Sequence, residues 1–207
     1  GVSSAASDVY KRQGLLRAAV LVPWAIPTAI TAKLWAFLFS EQGIVNSIFH
    51  AHVAWQTDPW AARFSIILAD VWKTTPFMAL LILAGLQMIP KDLYEAARMD
   101  GANAWQRFTR ITLPLAKNSI IVAVLFRMLD ALRMYDLPYI MVGPNPDSPT
   151  ATLSQLVVAA IRQDHVNAAS ALSTLIFLLI FLIALCFVKS LGSKVAHQAE
   201  PVVAEEE

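Results

Sequence analysis

Cysteine is almost absent. Cys186 is the only one, which excludes an internal disulfide framework and any metal site built on several thiolates. Glycine is scarce, with seven in 207 residues. Neither G-x-x-x-x-G-K-[ST] nor G-x-G-x-x-G occurs, so no loop of the kind that cradles nucleotide phosphates is present. If nucleotide energy is used, another chain must bind the nucleotide. Charge is thin as well. Asp, Glu, Lys and Arg make up 15% of the chain, against about 25% in soluble domains. The net charge of +1 removes the electrostatic case for nucleic acid. The bulk of the chain is apolar: 57% of residues are hydrophobic and mean hydropathy is +0.55. This is the composition of a membrane protein, and it excludes intrinsic disorder for the body of the chain.

A bilayer core about 30 Å thick is crossed by roughly 20 mostly apolar helical residues. Four segments meet that requirement: 15–39, 62–89, 118–139 and 168–188. The expected fold is an all-α integral membrane bundle of four visible spans occupying 15–189, with a loop over 90–117 and a tail over 190–207. The last span is the cleanest, with no Asp, Glu, Lys or Arg between His165 and Val188. The loop carries Lys91, Arg98, Arg107, Arg110 and Lys117, whereas the connections 40–60 and 140–167 hold only Arg162. Basic residues mark the cytoplasmic side. Both ends and the 90–117 loop are therefore expected inside a bacterial cytoplasmic membrane, with membrane lipid around the bundle. Pro23 and Pro27 are expected to kink the first span. The chain opens on Gly1, and its polar leader (1–14) lacks the apolar centre of a signal peptide. The expectation is a fragment whose native N-terminus is missing.

The 90–117 loop carries the chemistry. Residues 92–100 are good helix formers, and Gly101 is placed to end that helix, because a left-handed residue costs glycine nothing. Residues 102–109 are expected to form a second short helix with Trp105 and Phe108 on one face. Thr112 is expected to cap the third span, with Pro114 in its first turn. Ala96 and Ala97 leave a smooth strip that another protein can approach closely, and Glu95 adds one directed charge.

Glu95-Ala96-Ala97, Gly101, Ile111, Leu113 and Pro114 together spell E-A-A-x3-G-x9-I-x-L-P. This resembles the EAA loop of the permeases of ATP-binding-cassette (ABC) importers at every fixed position. Asp100-Gly101-Ala102, Phe108, Gly85 to Pro90, Gly43 to Asn46 and Trp72-Lys73 resemble the sugar-permease branch, and within it the permeases that import trehalose. The resemblance covers 15–189 and implies a coupling helix docked in a groove of a cytoplasmic ATPase. Glu95, Ala96, Ala97, Asp100 and Gly101 would meet the ATPase, and Ile111, Leu113 and Pro114 would anchor the loop to the third span. It further implies a second, unlike permease subunit, two ATPase subunits that hold ATP and Mg, an extracytoplasmic sugar-binding protein, and no cofactor on this chain. Permeases of this branch usually have six spans, so four visible spans read as the remnant of a six-helix permease. Their Gly-Gly-Pro run survives here only as Gly143-Pro144.

Ionisable residues within spans are costly and face the bundle interior or water. Asp70 and Lys73 in the second span, and Arg127, Asp130, Arg133 and Asp136 in the third, alternate in sign at a spacing that permits i,i+3 pairing. Two readings stand: a self-neutralised ladder that fixes packing, or the border of a translocation path and permease interface. Trp24, Trp35, Trp72, Tyr135 and Tyr139 are candidates for a face against a sugar ring, or for interfacial packing. His50, His52 and Asp58 make a weak metal set, and no nucleophile set stands out, so no catalytic or metal site is expected. Cys186 reads as packing. The function expected is carbohydrate import, with a disaccharide such as trehalose as cargo. The alternatives are the same machinery for another oligosaccharide or glycerol phosphate, and an ion-coupled secondary transporter that uses Asp70 and Asp130.

Overall fold

The computed structural model describes residues 21–50 and 52–198. The leader (1–14), the start of the first span and the acidic run Glu205 to Glu207 lie outside the described residues. Every element among the described residues is helical: α1 Thr28–Leu38, α2 Ile44–Phe49, α3 Pro59–Gln87, α4 Lys91–Met99, α5 Ala104–Leu132, α6 Asp136–Met141, α7 Leu153–Arg162 and α8 Val166–Gln198. Three stretches are long and apolar enough to cross a membrane: α3, α5 and the Val166–Lys189 part of α8.

The second span begins where Asp58 accepts hydrogen bonds from the Trp60 and Ala61 amides at 3.0 and 2.8 Å, with Pro59 in the first turn. This N-cap satisfies two of the orphan donors of a helix start, and it commits Asp58 to a structural role. The fourth span starts two residues early and its helix runs on to Gln198, so the segment assigned to the tail begins as helix.

Two spans differ from the sequence expectation. The first is broken, not kinked. Residues 21–25 are helical, Ile26 bends, Pro27 adopts φ −53° and ψ 137°, and the helix restarts as α1 with 11 residues. Proline has no N–H and disfavours helix in the residue before it, and here that preference prevails. The Ile26 carbonyl accepts from Lys73 Nζ at 2.6 Å. The third span is shifted: α5 starts at Ala104 and ends at Leu132. Arg133, Met134 and Tyr135 form a non-helical link to α6. Pro138 sits in the first turn of α6, where its missing N–H costs nothing; within a longer helix it would break the ladder.

In packing, α1 lies against α6, α3 against α5, and α7 against α8. Ala32, Phe39, Ile66, Ala69, Leu137 and Met141 make the buried core. The most apolar stretch of α8 contains no buried residue. Between α2 and α3, the buried Asn46 organises the loop. Its amide donates to the Glu41 and Val53 carbonyls, both at 3.0 Å, and its oxygen accepts from Trp55 Nε1 at 2.7 Å.

The crossing of α3 and α5 depends on Gly85, because a Cβ there would overlap the Ser119 side chain. Small residues let membrane helices approach this closely. Gly85→Leu is therefore expected to separate the two helices and to reduce the protein recovered folded from membranes severalfold. Gly85→Ala combined with Ser119→Gly is expected to restore most of it, as measured by detergent-solubilised yield and thermal unfolding.

Candidate functional site

At one end of the molecule, α4 and the start of α5 form an exposed elbow. Helix α4 carries Asp92 in its first turn and Arg98 in its last, each at the end where the helix dipole favours its charge. It stops in a Schellman motif: the Gly101 amide donates to the Arg98 carbonyl at 3.0 Å and the Ala102 amide to the Ala97 carbonyl at 2.9 Å. Gly101 has φ +76°, the left-handed conformation that only glycine adopts without strain. The chain re-enters helix through a capping box. The Gln106 amide donates to Asn103 Oδ1 at 2.8 Å and the Asn103 amide to Gln106 Oε1 at 2.9 Å. Arg107 Nη1 closes the turn on the Ala102 carbonyl at 2.7 Å. The N-x-x-Q spacing is a readable cap signal, and it is the local device that sequence reasoning missed.

The expected separate helix over 102–109 is the first turn of α5, which continues through a π-turn over Phe108–Thr112. Thr112 lies in helical conformation with no capping bond, so it does not cap the third span. Pro114 supplies the physical reason. Its ring would clash with a carbonyl one regular turn back, and a wider turn relieves that clash.

Glu95, Ala96, Asp100 and Gly101 are exposed, and Ala97 is half-buried. Met99 is 89% and Trp105 70% exposed. Trp105 and Phe108 share a face with ring centroids 5.8 Å apart. Ile111 is half-buried at the root of the elbow, beside the exposed Leu113 and Pro114.

The second set of residues lies between α3 and α5. Arg127 bridges two carboxylates, Asp70 on α3 and Asp130 one turn along α5, the latter at 2.9 Å. Among the described residues these are the two ion pairs. Asp70 is 8% exposed. The six-charge ladder is not continuous, because α5 ends before Arg133; Lys73 serves the Ile26 carbonyl instead. Arg133 and Asp136 nonetheless turn back to line a cavity of about 170 Å³ together with Thr28, Asp70, Lys73, Thr74, Asp130 and Tyr135. A second cavity of about 210 Å³ shares Thr74 and Asp130, and its wall is aromatic: Trp24, Phe77 and Phe126. Arg127 lines it as well. Trp24 stacks on Phe77 at 5.7 Å. The structure thus brings all eight candidate path residues to one adjoining pair of cavities.

The remaining candidates have other places. Trp35 packs on Phe39 and Trp72 beside the core. Tyr139 stacks on Tyr135 at 5.0 Å and lies under the Arg162 guanidinium. His50 ends α2 in a left-handed conformation. Cys186 is exposed on α8 rather than packed.

The described residues thus form an all-helical bundle with three helices long and apolar enough to cross a membrane and an exposed elbow between two of them. Over residues 1–197 the chain matches the family described as binding-protein-dependent transport system inner membrane component, and it belongs to that family. It is 45% identical over 188 residues to the trehalose/maltose transport system permease protein MalF of Thermococcus litoralis, covering 88% of this chain and 64% of that protein. It is 42% identical over 162 residues to the sulfoquinovosyl glycerol transport system permease protein SmoG of Agrobacterium fabrum, covering 76% and 53%. To the trehalose transport system permease protein SugA of Mycobacterium tuberculosis it is 39% identical over 183 residues, covering 87% and 59%. The chain therefore spans between 53% and 64% of the length of these relatives. Among solved structures it resembles a bacterial alginate ABC transporter in complex with alginate pentasaccharide-bound periplasmic protein. The TM-score is 0.75 at 25% identity, covering 86% of this chain and 64% of that one.

Proposed function

We propose that this chain is part of the permease of an ABC importer that passes a carbohydrate inward, a disaccharide such as trehalose. The observation that carries this is the exposed elbow of α4 and α5, which holds every fixed position of the EAA motif and is fused to a membrane-spanning helix. In this reading α4 sits in a groove of a cytoplasmic ATPase that binds ATP and Mg, and the chain itself does no covalent chemistry. Closure of two ATPase subunits on ATP moves α4, and α5 carries the motion into the bilayer. A second permease subunit completes the pathway, and an extracytoplasmic sugar-binding protein delivers the cargo. The elbow and the end of α8 face the cytoplasm, in keeping with their basic residues.

The solute path runs through the paired cavities. An aromatic wall of Trp24 and Phe77 offers a flat face to a sugar ring, and Thr74, Asp130, Arg133 and Tyr135 offer hydroxyl partners. Three cations and three carboxylates meet there, which suits a neutral solute. An anionic cargo such as glycerol phosphate would call for uncompensated basic residues.

The test is uptake of a panel of labelled sugars in cells lacking and then regaining the full-length gene. Trehalose uptake is expected to return with the gene, to stop when ATP is depleted, and to survive collapse of the proton and sodium gradients. Uptake that tracks an ion gradient and ignores ATP would overturn the proposal in favour of a secondary transporter.

A further inference from the structure

Tyr94 immediately precedes the EAA motif and is not one of its fixed positions. Its hydroxyl lies 3.0 Å from Thr112 Oγ1, across 18 residues of chain, at a part-buried contact. Among the described residues this is the one side-chain hydrogen bond that joins α4 directly to α5. Helix α4 buries none of its own residues and packs closely on no other described helix. Apart from the backbone turn at Gly101 and the entry at Pro90, little else fixes the angle between the exposed helix and the span behind it.

Either hydroxyl can donate across this contact, and Thr112 Oγ1 also lies 3.4 Å from the Arg107 carbonyl. The result is a chain from the Tyr94 hydroxyl through Thr112 to the first turn of α5. The π-turn makes this possible. In it the Leu113 amide reaches back five residues to the Phe108 carbonyl. One extra residue in a turn rotates the succeeding residues by about 100° relative to a regular helix, and the widened turn aims Thr112 at α4.

We propose that Tyr94 is a positioning residue, a strut that, through Thr112, converts displacement of α4 into rotation of the third span. The inference rests on the coupling role proposed above. A Gly-centred elbow alone bends when pushed at one arm; the hydroxyl tie triangulates it.

The experiment uses the complete transporter, with the full-length subunit, in proteoliposomes, and reads trehalose moved per ATP hydrolysed together with the ATPase retained on purification. Tyr94→Phe and Thr112→Val each remove one partner of a single hydrogen bond, so each is expected to lower sugar per ATP by about fivefold, with the ATPase still bound. Thr112→Ser, which keeps the hydroxyl, is expected to behave like the parent, and the double variant is expected to be no worse than either single one. A parental ratio in both single variants overturns the strut, as does a loss of transport that merely tracks loss of bound ATPase. A cross-link from Met99→Cys to the ATPase separates the two possible failures. With the link formed and the ratio unchanged in Tyr94→Phe, the strut is wrong. With no link in the complex that is otherwise parental, the coupling role is itself wrong.

Discussion

Gly101→Pro is expected to abolish uptake while leaving the subunit in the membrane. Proline fixes φ near −65°, and Gly101 sits at +76° and donates its amide to the Arg98 carbonyl. The substitution therefore removes a hydrogen bond and forbids the turn, at a local cost of about 3 kcal/mol or more. Because the elbow is exposed and α4 buries nothing, that cost falls on the geometry of the elbow and not on the bundle. Gly101→Ala separates the two components. A Cβ at this position meets no atom within 4 Å, so only the left-handed backbone is strained, by about 1 kcal/mol, and uptake is expected to fall only partly. Glu95→Lys tests the surface rather than the turn. The side chain is exposed, so the fold is expected to be untouched and uptake lost. The readouts are labelled-sugar uptake, membrane abundance by immunoblot and copurification of the ATPase. Normal uptake by Gly101→Pro and Glu95→Lys at parental abundance would contradict a docking role for the elbow.

The second large effect is at Arg127. Its guanidinium holds two carboxylates, and the Asp70 side chain is only 11% exposed. Removing one partner of a buried pair leaves an uncompensated charge. Arg127→Met leaves the nearly buried Asp70 without its ion-pair partner, so it is expected to destabilise by on the order of 3 kcal/mol. Asp70→Asn still leaves Arg127 with Asp130 and is expected to cost clearly less. Asp70→Asn combined with Arg127→Gln is expected to recover much of the loss, because no buried charge then lacks a partner. Thermal unfolding in detergent ranks the three. If Asp70→Asn proves worse than Arg127→Met, Arg127 is not the hub of the cluster.

The legible parts of the fold are those whose physical signal is local. Hydropathy reports membrane crossing well, so the second and fourth spans stand where apolar runs placed them, to within a few residues, whereas the third starts at Ala104 and ends at Leu132, displaced at both ends. The glycine stop was legible because φ > 0 is a strong and local demand. Helix continuity was not. Pro27 and Pro114 look alike in sequence, yet the first breaks its helix and the second is absorbed by a π-turn. The outcome depends on neighbours, Lys73 in one case and Tyr94 with Thr112 in the other, which no local window contains. The charge ladder failed for a related reason. Alternation at a spacing of three suggests one helical face, but the regular span ends early, before Pro138. The pairing then comes from across the bundle, in Asp70, as well as along the same helix. Arg133 and Asp136 still reach the same cavity because the short α6 folds back against α1.

The tie between Lys73 and the Ile26 carbonyl gives the gap at Pro27 a mechanical meaning. A membrane helix ordinarily hands each carbonyl to its own amides; here one is handed to the ammonium of a neighbour. Sliding the two helices past one another would break that bond and leave the Ile26 carbonyl without its donor. The proline break is thus a fastening point between the first and second spans.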